Sequence, residues 1–164
     1  MQNEPTDTMK MFPLEVFKIL LDHEVNKSRR YGDSLTLIDL LIETDPADPE
    51  AQLQAEALAI NILHLQLREV DIPSRQENEF FIMMPSTSVP GARTACERVR
   101  KLMEMEYQTK EGVPVKLFTF IGLAGMPGDH SLSGNDLSQH ASQALQHART
   151  NRLTNVIAYS ELSK

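Results

Sequence analysis

The stretch SLTLIDLLIE, residues 34–43, most narrows what this chain can become. It is short and almost wholly apolar. Turn formers bound it, with Tyr31-Gly32-Asp33 before it and DPADPE (45–50) after it. A run of that length between such borders reads as a strand buried on both faces. Upstream, in FPLEVFKILLDHEVNKSRRYGD (12–33), Pro13 suits a first helical turn, and Phe17, Leu20, Leu21, Glu24 and Val25 form a mostly apolar face at helical spacing. Residues 1–11 are polar and are expected to be a loose segment ahead of a single domain spanning 12–160.

Downstream, Asp48 as N-cap with Pro49 and Glu50 behind it opens a helix running to about Glu69, with Leu53, Ala57, Ile60 and Leu67 on one face. IPSR (72–75) and EFFIMMP (79–85) predict a hairpin with QEN at its tip. A helix is expected over 89–107, with Ala92, Ala95, Cys96, Val99, Leu102 and Met103 inward, followed by the strand VKLFTFIGLAG (115–125). Gly125, Pro127, Gly128 and Asp129 then make a loop. The helix NDLSQHASQALQHART (135–150) carries Leu137, Ala141, Ala144, Leu145 and Ala148 on one face, and NVIAY (155–159) closes the chain as a strand. From residue 34 the order is β-α-β-β-α-β-α-β. Its first six elements form a ferredoxin-like βαββαβ split unit, an α+β fold whose sheet is mostly antiparallel and flanked by helices.

Composition limits the chemistry. The net charge of −7 and the absence of a long basic block argue against nucleic acid as a partner. Cys96 is the only cysteine, which excludes an internal disulfide and a cysteine-based zinc site and fits a reducing, cytoplasmic setting. No apolar run reaches membrane-spanning length, and MQNEPTDTMK has neither the basic start nor the apolar stretch of a signal peptide. His140 and His147 lie too far apart on their helix to hold one metal, and His23, His64 and His130 have no partner at useful spacing, so no metal is assigned. Met83, Met84, Met103 and Met105 read as core or helix filler.

The blocks KSRRYGDSLTLIDLLIE, REVDIPSRQENEFFIMMPST, ACERVRKL, FTFIGLAG and ASQALQHARTNRLTNVIAY resemble, in order and near-correct spacing, those of the GGDEF domain family, whose members make cyclic di-GMP from two GTP. The resemblance runs from about Phe12 to Tyr159. It implies bacterial signal transduction. It also implies a catalytic centre in which one carboxylate at the end of the first strand and another in the GGDEF hairpin hold divalent metals on the GTP phosphates. This chain departs from the pattern at both places. LLIETDPADPEAQLQAEALA lacks the family's Phe-Lys, Asn-Asp and phosphate loop, leaving Glu43 and Asp45 as stray carboxylates. The hairpin reads Gln76, Glu77, Asn78, Glu79, Phe80, without glycine. Asn78 falls at or near the metal-carboxylate position, where a neutral amide is a poor ligand for a hard cation. The chain is therefore expected not to be an enzyme.

Just upstream, Arg68-Glu69-Val70-Asp71 resembles the family's Arg-x-x-Asp product-binding site, and Arg98 resembles the family arginine on the following helix that completes it. Guanidinium groups donate to phosphate or to guanine O6 and N7, and an ionised Asp accepts from guanine N–H groups. Arg75 is a further candidate, as are Lys27, Arg29 and Arg30, through which the family can share a ligand with a second molecule. Arg149 and Arg152 resemble the family's triphosphate-contacting basic residues. The expectation is a noncatalytic receptor for cyclic di-GMP, with no cofactor, acting as a homodimer or on another signalling protein. The alternative is a scaffold for protein partners that binds no nucleotide. An active cyclase built on Glu43, Glu77 and Glu79 ranks third.

Overall fold

The computed structural model describes residues 11–126 and 132–162. The expected loose segment before Met11 and the loop residues 127–129 lie outside them, as does His130. Met11 packs against the core, and Phe12 pairs with Ser74.

Helix α1 (Leu14–Tyr31) leads through Gly32, at φ 73°, into β1 (Leu35–Asp45). Left-handed backbone of that kind closes a helix at low cost only in glycine. Helix α2 (Pro49–Gln66) starts where Asp48 caps the Ala51 N–H at 2.9 Å. The hairpin of β2 (Ile72–Gln76) and β3 (Glu79–Pro85) has the expected limits. Then follow α3 (Val89–Met103), a short β4 (Tyr107–Gln108), β5 (Pro114–Met126), α4 (Gly134–Thr150) with a Ser133–Asp136 capping box, and β6 (Ile157–Ala158).

The sheet order is β2-β3-β1-β5-β4, with β6 beside β5. Every pairing between these strands is antiparallel except that of β5 with β6. β1 is therefore internal and covered on both sides, as its apolar run requires. Its Ile38, Leu40 and Ile42 pack with α2 and α3, while Leu35, Leu37 and Leu41 face α1 and α4. The fold is the expected βαββαβ core, with α2 and α3 on one face and α1 and α4 on the other.

Several expectations fail for identifiable reasons. Leu53 and Ala57 are exposed; the buried line of α2 is Ala51, Ala55, Glu56, Ala59, Ile62 and Leu63. This helix is apolar on nearly every side, so its sequence does not fix which face turns inward. The third helix ends at Met103, not 107, because Tyr107 and Gln108 are drawn into pairing with β5, and Leu102 and Met105 are left exposed. The closing strand shrinks to Ile157–Ala158, since Tyr159 already starts a 3-10 turn. Among the described residues, no helix is long and apolar enough to cross a membrane.

Candidate functional site

Arg68 sits just past the C-terminal end of α2, in the turn that leads to the hairpin. Asp71 folds back onto it: Oδ2 accepts from the Arg68 backbone N–H at 2.7 Å and from Nε at 3.3 Å, and Oδ1 accepts from Nη2 at 2.8 Å. Nη2 also donates to the Pro85 carbonyl at 3.0 Å and to Thr87 Oγ1 at 2.7 Å. One edge of the guanidinium is thus consumed in fixing the group against the end of β3. Nη1 has no partner among the described residues, and the side chain is 50% exposed. The Asp71 side chain is 0% exposed. The carboxylate therefore holds the arginine in position and is not open to a guanine edge, which differs from the part the sequence suggests for it. Its hydrogen bonds push the Arg68 pKa further up.

The remaining predicted residues gather around this corner unevenly. Ala95 and Val99 of α3 line the same small gap as Gln66 and Leu67, so the helical turn carrying Arg98 lies beside the segment carrying Arg68. Arg98 is exposed and makes no hydrogen bond or ion pair with any described residue. Lys27, exposed near the end of α1, shares a shallow gap with Pro85 and Ser86, next to the carbonyl that receives Arg68. Arg29 is tied to the Leu132 carbonyl at 2.8 Å, and Arg30 is exposed. Arg75 is committed elsewhere, donating to Glu56 at 2.6 Å and to the Glu77 carbonyl at 2.7 Å while lying over the Phe80 ring.

The other end of the sheet, where β1 meets the hairpin, is occupied by the chain's own side chains. Gln52 Nε2 donates to the Ile42 carbonyl at 2.9 Å and to Glu56 at 2.8 Å, and Glu56 in turn receives Arg75. Asn78 Nδ2 donates to the same Ile42 carbonyl at 2.8 Å, while the Asn78 carbonyl accepts the Ile42 N–H at 3.1 Å. The amide at the hairpin tip therefore serves as a strap between β1 and the turn. Glu43 binds Arg149 through Nε and Nη2 at 3.0 and 2.6 Å, and Asp45 meets Arg152 at 3.4 Å. The basic residues that resemble the family's triphosphate contacts thus pair with the two stray carboxylates at the end of β1. Among the described residues, no group of three His, Cys, Asp or Glu could hold a metal ion. Glu77 has φ 57°, a left-handed conformation that disfavours any side chain.

One ionisable residue was passed over in the sequence. Asp39, in the middle of β1, is 1% exposed, and its Oδ1 has no hydrogen-bond partner. Burial, reinforced by a hydrogen bond to Glu79 and by that neighbour's charge, pushes its pKa up to about 9. The signal was available: it is the only acid between Leu35 and Ile42, in the apolar middle of the central strand.

A family model described as "Diguanylate cyclase, GGDEF domain" matches residues 52–154. No curated protein gives a significant match. Among solved structures, the GGDEF domain of DgcB from Caulobacter crescentus, in complex with c-di-GMP, is 14% identical at a TM-score of 0.76, covering 98% of this chain and 99% of that one. The active GGEEF domain of a diguanylate cyclase from Vibrio cholerae is 16% identical at 0.71, covering 88% and 95%. The diguanylate cyclase SiaD from Pseudomonas aeruginosa, in complex with its activator SiaC, is 18% identical at 0.74, covering 95% and 61%. Identities this low carry the fold and leave the chemistry to the residues.

Proposed function

The chain belongs to the GGDEF domain family, and from that premise we propose that it is a noncatalytic regulatory domain that binds cyclic di-GMP at the corner built around Arg68. The observation that carries the reading is the posture of that arginine. Four contacts lock it in place, while its Nη1 has no partner among the described residues and the side chain stays half exposed. A guanidinium fixed before the ligand arrives loses little rotamer freedom on binding, so its charged hydrogen bonds go mostly into affinity. Lys27 and Arg98 lie on neighbouring segments and supply further positive charge for a phosphodiester. That DgcB has been seen with c-di-GMP gives the ligand its precedent.

The loss of turnover rests on the opposite end of the sheet. A pair of metal ions would need Glu43 and Asp45 released from Arg149 and Arg152, and would find an amide at Asn78. Incubation with GTP and Mg²⁺ or Mn²⁺ is expected to yield no cyclic di-GMP. Equilibrium dialysis is expected to show the cyclic dinucleotide retained and GTP not. Product formation that disappears in Glu79→Ala would reverse the reading.

A second reading, a scaffold for a protein partner, draws on the exposed Leu53 and Leu65 of α2, 65% and 76% accessible. It predicts a folded chain that ignores both nucleotides.

A further inference from the structure

On the face of the sheet away from α2 and α3, a cavity of about 470 Å³ opens between α1, α4 and the β1–β3 pair. Its walls are apolar where Phe17 and Phe81 meet, with ring centroids 6.3 Å apart, and polar along α4, where Ser138, Gln139 and Ser142 contribute hydroxyl and amide groups. Asp39 and Glu79 lie on the strand side. They belong to adjacent strands and point the same way, since Asp39 pairs with Phe81 and Leu41 with Glu79. Glu79 is half-buried, and the Asp39 Oδ1 is a buried acceptor without a donor.

An unpaired buried acceptor costs a fold on the order of 1–3 kcal/mol, and nothing in the packing of β1 requires an acid there. A strand-centre leucine would suit the neighbours Leu37 and Leu41. The ionisable groups facing the cavity are Asp39 on β1, Glu79 on β3, and Lys18 and Asp22 on α1; the α4 lining is uncharged, and with Asp39 protonated the charge is that of Glu79 and Asp22 against Lys18. The balance is acidic, so the complementary guest carries positive charge. A bare divalent ion fits badly, because it asks for at least six close oxygen ligands and leaves most of this volume empty. An ammonium group on an apolar stem fits both halves of the lining, with N–H donors for the acids and a hydrocarbon body against the phenylalanines.

We propose that this cavity binds a protonated primary amine carried on a small apolar body, with Glu79 supplying the counter-charge and Asp39 Oδ1 accepting an ammonium N–H. Binding swings Glu79 from Asp39 onto the ligand. The site is separate from the Arg68 corner and does not rest on the nucleotide reading.

Phenethylamine and its neutral counterpart 2-phenylethanol serve as probes, titrated into the full 164-residue chain and followed by amide NMR. The amine is expected to produce saturable shifts in β1, β3, α1 and α4 at roughly millimolar concentration, the range open to a ligand of this size. The alcohol is expected to bind about tenfold more weakly or less, the loss of one charged contact. Asp39→Leu and Glu79→Gln, both confirmed folded by thermal melts, are each expected to weaken the amine about tenfold. Equal binding of amine and alcohol would overturn the proposal, as would the absence of saturation in the wild type at roughly 10 mM. So would line broadening at Asp39 by Mn²⁺ at lower concentration than the amine requires, since that marks a metal site.

Discussion

The raised Asp39 carboxyl gives the molecule a pH dependence opposite in sign to that of an ion-paired acid. In the folded chain it holds its proton up to about 9, against 3.8 for an unperturbed Asp. Between those values the unfolded chain is ionised there and the folded chain is not, so folding takes up a proton and this contribution weakens as pH rises through the window. Asp39→Asn removes the penalty. Urea melts are expected to show the variant more stable than wild type by about 1–3 kcal/mol near pH 8, and by less near pH 5. A gain that is equal at both pH values would contradict the assignment. Glu77 offers a second test at this scale. Its φ of 57° costs about 1–2 kcal/mol for an L side chain, against which glycine adds about 0.4–1 kcal/mol of unfolded-chain entropy. Glu77→Gly is therefore expected to stabilise the hairpin by about 0.5 kcal/mol and to leave GTP turnover absent, because Asn78 and the Glu43–Arg149 pair remain. Asp71 shows what residue types alone cannot tell. Its spacing from Arg68 is visible in the sequence, but whether its carboxylate turns outward to a ligand or inward to the arginine depends on the turn between them. Here it turns inward.

At the scale of elements, the chain is legible wherever polar punctuation meets a clear period. Gly32 and the DPADPE turn frame β1, and the hairpin limits follow from QEN between two extended runs. α2 resists because leucines and alanines surround it, so periodicity gives a helix without a phase, and Leu53 and Ala57, expected inward, lie outward. The short β4 is invisible for a different reason: two residues carry no pattern, and their pairing with β5 is decided by the turn around Gly112, at φ 82°. The contact of α4 with the sheet is closer than any sequence pattern conveys. A Cβ on Gly122 of β5 would collide with the α4 backbone at Leu145 and would stand 2.6 Å from the Ala141 carbonyl oxygen. Backbone cannot step aside as a side chain can. Gly122→Ala is expected to cost about 1–3 kcal/mol in denaturant melts, with the loss in the cooperative transition of the whole domain. An unchanged midpoint would mean that α4 rides loosely on β5, against the packing described.

For the whole molecule, the sheet separates two environments with different chemistry. At one end, arginines and carboxylates that face substrate in the family resemblance are paired with each other. At the corner beside α2 and α3, one arginine is braced and half open. The sequence made this division partly visible: the hairpin without glycine was plain, and the Arg68–Asp71 spacing was recognisable. The mutual neutralisation of Glu43 with Arg149 and of Asp45 with Arg152 was not, because it joins residues more than a hundred positions apart. The central claim is that Arg68 anchors a cyclic dinucleotide in a chain that does not make one. Calorimetric titration of cyclic di-GMP into the wild type and into Arg68→Ala tests it most directly. The account predicts saturable heat with the wild type and an affinity at least about tenfold lower in the variant, corresponding to about 1–3 kcal/mol for a charged contact to base or phosphate. No heat with the wild type at high ligand, or superimposable isotherms for the two proteins, would contradict it.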